Sequence, residues 1–178
     1  MTITESDIAG FAKLDACPAL AWLREEPRTM EQLVEKNREW AHWIIICAPE
    51  PWAARAWEAL LPQAENFDLR EIIIWAPEPW KSRAWEALLP RADHDDLRMI
   101  IYSAPAPWAS RAAEVLLPRA ENSDLREIIS YAPEPWPARA WAALLPRAEN
   151  FDLRMITLWA HEPWPAKARA VLALQEKK

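Results

Sequence analysis

One pentapeptide, Ala-Pro-Glu-Pro-Trp, returns five times at a fixed interval of 28 residues, at 48–52, 76–80, 104–108, 132–136 and 160–164. Ala106 replaces the glutamate in the third copy, and His161 replaces the first proline in the fifth. A constant period of this size marks a tandem array of supersecondary units, each burying its apolar face against the next. The chain has 13 Trp, 17 Pro and a single glycine, Gly10, which lies outside the array. Nearly all the Trp and Pro fall at fixed places in the repeat. Proline, not glycine, must therefore punctuate the helices.

Residues 48–75 give the pattern of one unit. Pro51 suits the first turn of a helix running from about 51 to 61, and Pro62 stops it. Asn66 or Asp68 is expected to cap a second helix, which runs to about Trp75 before Pro77 ends it. Asp68-Leu69-Arg70-Glu71 has a capping-box spacing that recurs at 124–127, whereas Met99 and Met155 replace the glutamate elsewhere. Leu69, Ile72, Ile73 and Ala76 fall within an arc of ~100° on a helix and form a buried face. The first helix is apolar on two sides, with Trp52, Ala56, Ala59 and Leu60 on one and Trp57 and Leu61 on the other. Such a helix is sandwiched between neighbours.

The expected fold is therefore all-α: an α-solenoid of tandem two-helix 28-residue repeats with a helical N-terminal cap. Residues 1–37 form the cap. There Pro18 starts a short helix over 19–24, Pro27 stops it, and a Thr29–Gln32 capping box starts another that runs to about Lys36. Residues 38–178 form the array, with units near 48–75, 76–103, 104–131 and 132–159 and a terminal half unit at 160–178. In that half unit Arg169 stands where Trp57 stood, and Gln175-Glu176-Lys177-Lys178 is polar, as the end of a solenoid requires.

Two short helices per unit, with Asp-Leu-Arg opening the second, resemble HEAT-type α-solenoid repeats in architecture, although HEAT units are longer. In the cap, Leu14-Asp15-Ala16-Cys17, Ala21-Trp22-Leu23, Thr29 and Trp40-Ala41-His42-Trp43 are similar to the opening of small prophage-type bacterial proteins of unknown function. That resemblance implies a mobile-element origin and no chemistry.

The net charge of −6 disfavours general binding to a phosphate backbone. Cys17 and Cys47 do not form a CxxC pair, which fits a reduced, cytoplasmic setting without a disulfide framework or zinc site. The first ten residues have no signal-peptide pattern, and the longest apolar run, 43–49, is too short to span a membrane. His42, His94 and His161 are isolated, no glycine loop cradles a phosphate, and no Ser/His/Asp set stands out. Neither an enzyme nor a cofactor or metal site is expected.

The recurring columns offer the candidate contacts. Trp52, Trp80, Trp108, Trp136 and Trp164 are unvaried, as packing against identical neighbours demands. The column Trp57, Trp85, Ala113, Trp141 and Arg169 tolerates a small residue, which suggests partial exposure. Arg55, Arg83, Arg111 and Arg139, continued by Lys167, form one ladder, and Arg70, Arg98, Arg126 and Arg154 form another. Either could grip an anion, but internal pairing with Asp68, Asp96, Asp124 and Asp152, or with the joint glutamates, is favoured by the acidic balance. Arg55, one turn from Trp52, also suits a cation–π contact. Two columns vary: Ile74, Tyr102, Ser130, Leu158 and Trp75, Ser103, Tyr131, Trp159. Their apolar choices suggest an exposed interaction strip. The expected function is non-catalytic protein binding, anchored by Trp75, Tyr102, Tyr131 and Trp159 with Trp57, Trp85 and Trp141 as neighbours. An inhibitor of a host protein is the specific form that the prophage-like opening suggests. Nucleic-acid binding along Arg70, Arg98, Arg126 and Arg154 is the alternative.

Overall fold

The structure of the chain is a computed structural model that describes residues 2, 3, 25 and 28–175. The expected helix over 19–24, its flanking Pro18 and Pro27, Cys17 and most of the prophage-like segment lie outside the described residues. Among the described residues there is no strand, only an isolated antiparallel bridge between Thr2 and Thr29. Eleven α-helices follow one another among the described residues: α1 (Met30–Lys36), α2 (Arg38–Cys47), α3 (Trp52–Leu60), α4 (Asn66–Trp75), α5 (Trp80–Leu88), α6 (His94–Ser103), α7 (Ala106–Leu116), α8 (Asn122–Tyr131), α9 (Trp136–Leu144), α10 (Asn150–Trp159) and α11 (Trp164–Gln175). The fold is an all-α tandem repeat of helix pairs, as the 28-residue period requires.

The chain divides into two compact units, Met1–Arg91 and Ala92–Lys178. In the first, the Thr29 capping box opens α1: Gln32 Oε1 accepts from the Thr29 N–H at 2.9 Å, and Thr29 Oγ1 accepts from the Gln32 N–H at 3.3 Å. Helix α1 packs on α2 and α3, α2 packs on α3 and α4, and α4 packs on α5. In the second unit, α6 pairs with α7, α8 with α9 and α10 with α11, while α6, α8 and α10 stack in sequence. The tightest pair therefore joins the second helix of one sequence unit to the first helix of the next. The pentapeptide sits at the bend of each such hairpin.

Every part of the pentapeptide has a task in that bend. Its alanine closes the outgoing helix: the N–H of Ala48, Ala76, Ala104, Ala132 and Ala160 donates to the isoleucine carbonyl four residues back, at 2.9–3.1 Å. The tryptophan N–H donates to the carbonyl three residues back, at 2.9–3.2 Å across the five joints. The Glu–Pro bonds at 50–51, 78–79, 134–135 and 162–163 are cis. At the third joint, where Ala106 replaces the glutamate, α7 begins two residues before Trp108. Four of the five tryptophans are buried and Trp52 is half-buried. Each carries the cation three residues on over its ring: Arg55, Arg83, Arg111, Arg139 and Lys167 lie 4.1–4.8 Å from the ring centroids. The tryptophan column is thus core with a cationic lid.

The start of the second-type helix differs from expectation. Neither Asn66 nor Asp68 is its N-cap. The caps are Glu65, Asp93, Glu121 and Glu149, and the aspartates occupy the third helical position. From there each carboxylate reaches back to accept the N–H of the cap residue, at 2.7–3.1 Å. Aspartate at this position satisfies a helix-start donor that would otherwise be orphaned, and its charge favours the positive end of the helix.

All four aspartates are buried, and Asp68, Asp124 and Asp152 are met by side chains from about 30 residues earlier. Asp124 is 1% exposed. His94 Nδ1 lies 2.7 Å from its Oδ2, and Arg98 Nε lies 3.6 Å from its Oδ1. Asp152 accepts from Asn122 Nδ2 at 2.8 Å and from Arg126 Nη1. In the first unit Arg38 Nη1 lies 3.5 Å from Asp68 Oδ2, and His42 Nε2 lies 2.9 Å from Oδ1 at an angle poor for a hydrogen bond. A second staple runs beside this one. Arg91, Arg119 and Arg147 donate from Nη2 to the carbonyls of Ala64, Ala92 and Ala120 at 2.7, 3.1 and 2.7 Å.

Removing Asp124 would strand His94 and the Glu121 N–H and leave Arg98 with Asp95 alone. We expect Asp124→Ala to lower the stability of the chain by about 3 kcal/mol, since breaking a buried pair leaves its partner charge uncompensated. Asp124→Asn, which keeps an acceptor for the backbone bond, should cost less. Urea unfolding followed by circular dichroism measures both. A loss no larger than that of the exposed control Glu114→Ala would mean that the carboxylate does not hold the repeats together.

Candidate protein-interaction surface

The second-type helices bury their leucine and isoleucine faces and leave a second stripe to solvent. In α4 this stripe ends at Trp75, which is 63% exposed, and begins near Phe67, which is 50% exposed. In the second unit it holds Met99 and Tyr102 on α6, Glu127 and Tyr131 on α8, and Met155, Leu158 and Trp159 on α10. Tyr102, Leu158 and Trp159 are 63, 71 and 59% exposed, whereas Tyr131 is half-buried. Fully exposed rings and aliphatic chains at successive helix ends are costly to keep in water and so point to contact. The two variable columns do not behave uniformly: Ile74 and Ser130 are buried where Tyr102 and Leu158 are exposed.

Tyr102 stands edge-on to Tyr131, with ring centroids 4.9 Å apart and planes at 78°. That edge-to-face contact fixes the Tyr131 ring. Tyr131, Trp159, Met155, Ser130, Glu127 and Arg126 then line a groove between α8 and α10. Burial, with smaller contributions from Glu127 and Tyr102, pushes the Tyr131 phenol above its usual range.

The other candidate residues lie elsewhere. Trp57 and Trp85 are buried, not partly exposed as their variable column suggests; Trp141 is half-buried. Trp57 packs on Trp80 at 6.0 Å and Trp141 on Trp164 at 5.9 Å, both tilted by about 40°. These rings fill seams between successive first-type helices, because Ala113 is small only where it too is fully buried. Arg169, in the same column, is exposed and pairs with Glu162 at 3.1 Å. Of the second arginine ladder, Arg98 is held by Asp95 and Asp124, and Arg126 by Asp152. Arg70 lies over Phe67 at 5.8 Å, and Arg154 is exposed.

Three features escaped the sequence reading. The Arg91, Arg119, Arg147 staple was visible as a column but was not singled out. The partners of Asp68, Asp124 and Asp152 could have been found 30 residues earlier, where Arg38, His94 and Asn122 are all donors. Glu127 was read as a helix-start residue, whereas it lines the groove. Among the described residues no three His, Cys, Asp or Glu side chains gather as metal ligands would. Among them too, no helix is long and apolar enough to cross a membrane. Comparison with protein-family models, with curated proteins and with solved structures finds no match for the chain.

The tyrosine pair offers a direct check of this geometry, because Tyr102 and Tyr131 are the only tyrosines in the chain. A phenol whose folded-state pKa is raised stabilises the fold fully below the ordinary value, about 10, and that stability is lost as pH rises through the folded value. Tyrosinate absorbance in an alkaline titration should therefore show a component above that value, and Tyr131→Phe should remove it. Persistence of that component in Tyr131→Phe would place the Tyr131 ring in ordinary solvent.

Proposed function

We propose that the chain is a non-catalytic protein-binding scaffold, which meets its partner through the exposed ends of its second-type helices. The observation that carries this reading is the exposure of Trp75 in the first unit and of Tyr102 and Trp159 in the second, where Tyr131 lies beside the latter two, on helices whose other faces are closely packed. Large aromatic side chains give the most contact energy per residue at protein interfaces. Trp57 and Trp85, being buried, and the half-buried Trp141 are not among the anchors of this surface. The kinship to HEAT-type repeats is one of architecture, and extended helical stacks of that kind suit protein recognition. With the prophage-like opening, it suggests an inhibitor that occupies a host protein in the cytoplasm.

Nucleic-acid binding along Arg70, Arg98, Arg126 and Arg154 has less support. Arg98 and Arg126 already neutralise buried aspartates, and a phosphate would have to compete with those carboxylates. The chain's charge of −6 opposes it further.

Affinity capture from extract of the source cell tests the reading, using the chain and a variant with Trp75, Tyr102, Tyr131 and Trp159 all changed to Ala. The variant should keep its helical circular dichroism and hold the captured protein at least tenfold more weakly, since losing several aromatic anchors costs more than 1.4 kcal/mol. Equal retention would show that these residues are not the anchors. Recovery of nucleic acid that is lost steeply with rising salt would favour the arginine ladder instead.

A further inference from the structure

Resting on the protein-binding reading, the groove between α8 and α10 says something about what the partner must offer. We infer that it is a slot for the cationic head of a lysine or arginine side chain, presented by a basic segment of the partner protein.

The slot has a volume of about 260 Å³. Its two aromatic walls, Tyr131 and Trp159, hold the same position in successive repeats, so they stand one repeat apart. Tyr102 props the Tyr131 wall from outside. The slot is open because of Ser130. The same column holds Ile74, Tyr102 and Leu158 in the other units, and a side chain of that size at 130 would intrude between the walls. Aromatic faces attract cations, most strongly where water is partly excluded.

The charges around the slot select the occupant. Glu127 lies one turn before Tyr131, is half-buried and makes no hydrogen bond or ion pair among the described residues. Arg126 and Arg98 are the opposing charges, but both are engaged: Arg126 Nη1 bonds Asp152 and its guanidinium lies over the Phe151 ring at 5.1 Å, while Arg98 is held by Asp95 and Asp124. With both cations balanced by those aspartates, Glu127 leaves the slot negative. An anionic occupant would meet that carboxylate. A purely aliphatic one would cover it without a partner, which is unfavourable for a charged group. A cation satisfies both the carboxylate and the two ring faces. The chain's net charge of −6 acts in the same direction on the approach of a basic segment.

The experiment uses the full chain and two short capped peptides, Gly-Lys-Gly and its isostere with norleucine in place of lysine. The indole N–H resonance of Trp159, identified by its loss in Trp159→Phe, reports occupancy. The lysine peptide should shift it and the norleucine peptide should not. Glu127→Gln should weaken the lysine peptide about fivefold, in the range of a partly desolvated charge contact. Ser130→Leu, which leaves every charge in place, should abolish the shift. Equal response to norleucine, indifference to Glu127→Gln, or no response to lysine at its solubility limit would each overturn the cation assignment. If the four-alanine variant loses the captured partner while the lysine peptide fails, the protein-binding surface stands and only the slot is wrong. If capture ignores those four residues, the protein-binding reading itself falls.

Discussion

The repeats are held in register by a buried carboxylate. Taking an aspartate out of water is unfavourable unless several donors meet it. Asp124 and Asp152 are met from two directions at once: by a backbone N–H of their own helix, and by side chains of the helix one repeat earlier. The first bond shapes the helix start. The second fixes where the preceding helix must lie. Apolar packing alone would allow one helix to slide along the next, whereas a carboxylate with fixed donors does not. Asp68 in the first unit follows the same plan, with the Glu65 N–H and Arg38 as its donors and His42 close beside it.

This constraint decides which surfaces remain for binding. Once Arg98 and Arg126 serve the aspartates, and Arg83, Arg111 and Arg139 lie over tryptophans, most of the conspicuous cations have an internal role. The exposed stripe of the second-type helices is then left with aromatic, thioether and aliphatic side chains, plus carboxylates at Glu71 and Glu127. A chain that reads as having two basic ladders thus offers a surface that is mainly apolar and faintly acidic. On the proposed protein-binding reading, the binding surface is what the internal pairing of the array leaves over.

The period, the helix pairs and the buried tryptophan column were legible in the sequence because each rests on local chemistry repeated four or five times. Proline positions mark helix boundaries, either just past an end or in a first turn, and an unvaried Trp52, Trp80, Trp108, Trp136, Trp164 column already implied identical neighbours. The cap was misplaced by one to three residues, because Asn66 and Asp68 are both good caps in isolation. Only the three-dimensional start of the helix shows that Asp68 must sit at the third position to reach both its own backbone and the preceding repeat. The Trp57 column misled for a related reason. Ala113 looked like tolerance of exposure, yet it is a small residue inside a packed seam, and sequence cannot distinguish a surface that drifts from a core that is locally refilled. The slot was illegible because it depends on Ser130 being small between two rings that are 28 residues apart.

The variable column makes the same point from the other side. Ile74, Tyr102, Ser130 and Leu158 occupy one position, but two are buried and two exposed. A column dictated only by contact with the next repeat would keep one size, as Ile72, Ile100, Ile128 and Ile156 do. A column that only faced water would drift towards polar residues. This column does neither. Tyr102 and Leu158 add exposed surface, Ile74 is buried, and Ser130 opens space between Tyr131 and Trp159. On the proposed reading, such relief on the second-type helices is what would distinguish one partner from another. It can arise there without disturbing the fold, because the aspartate and tryptophan columns hold the helices from their opposite ends.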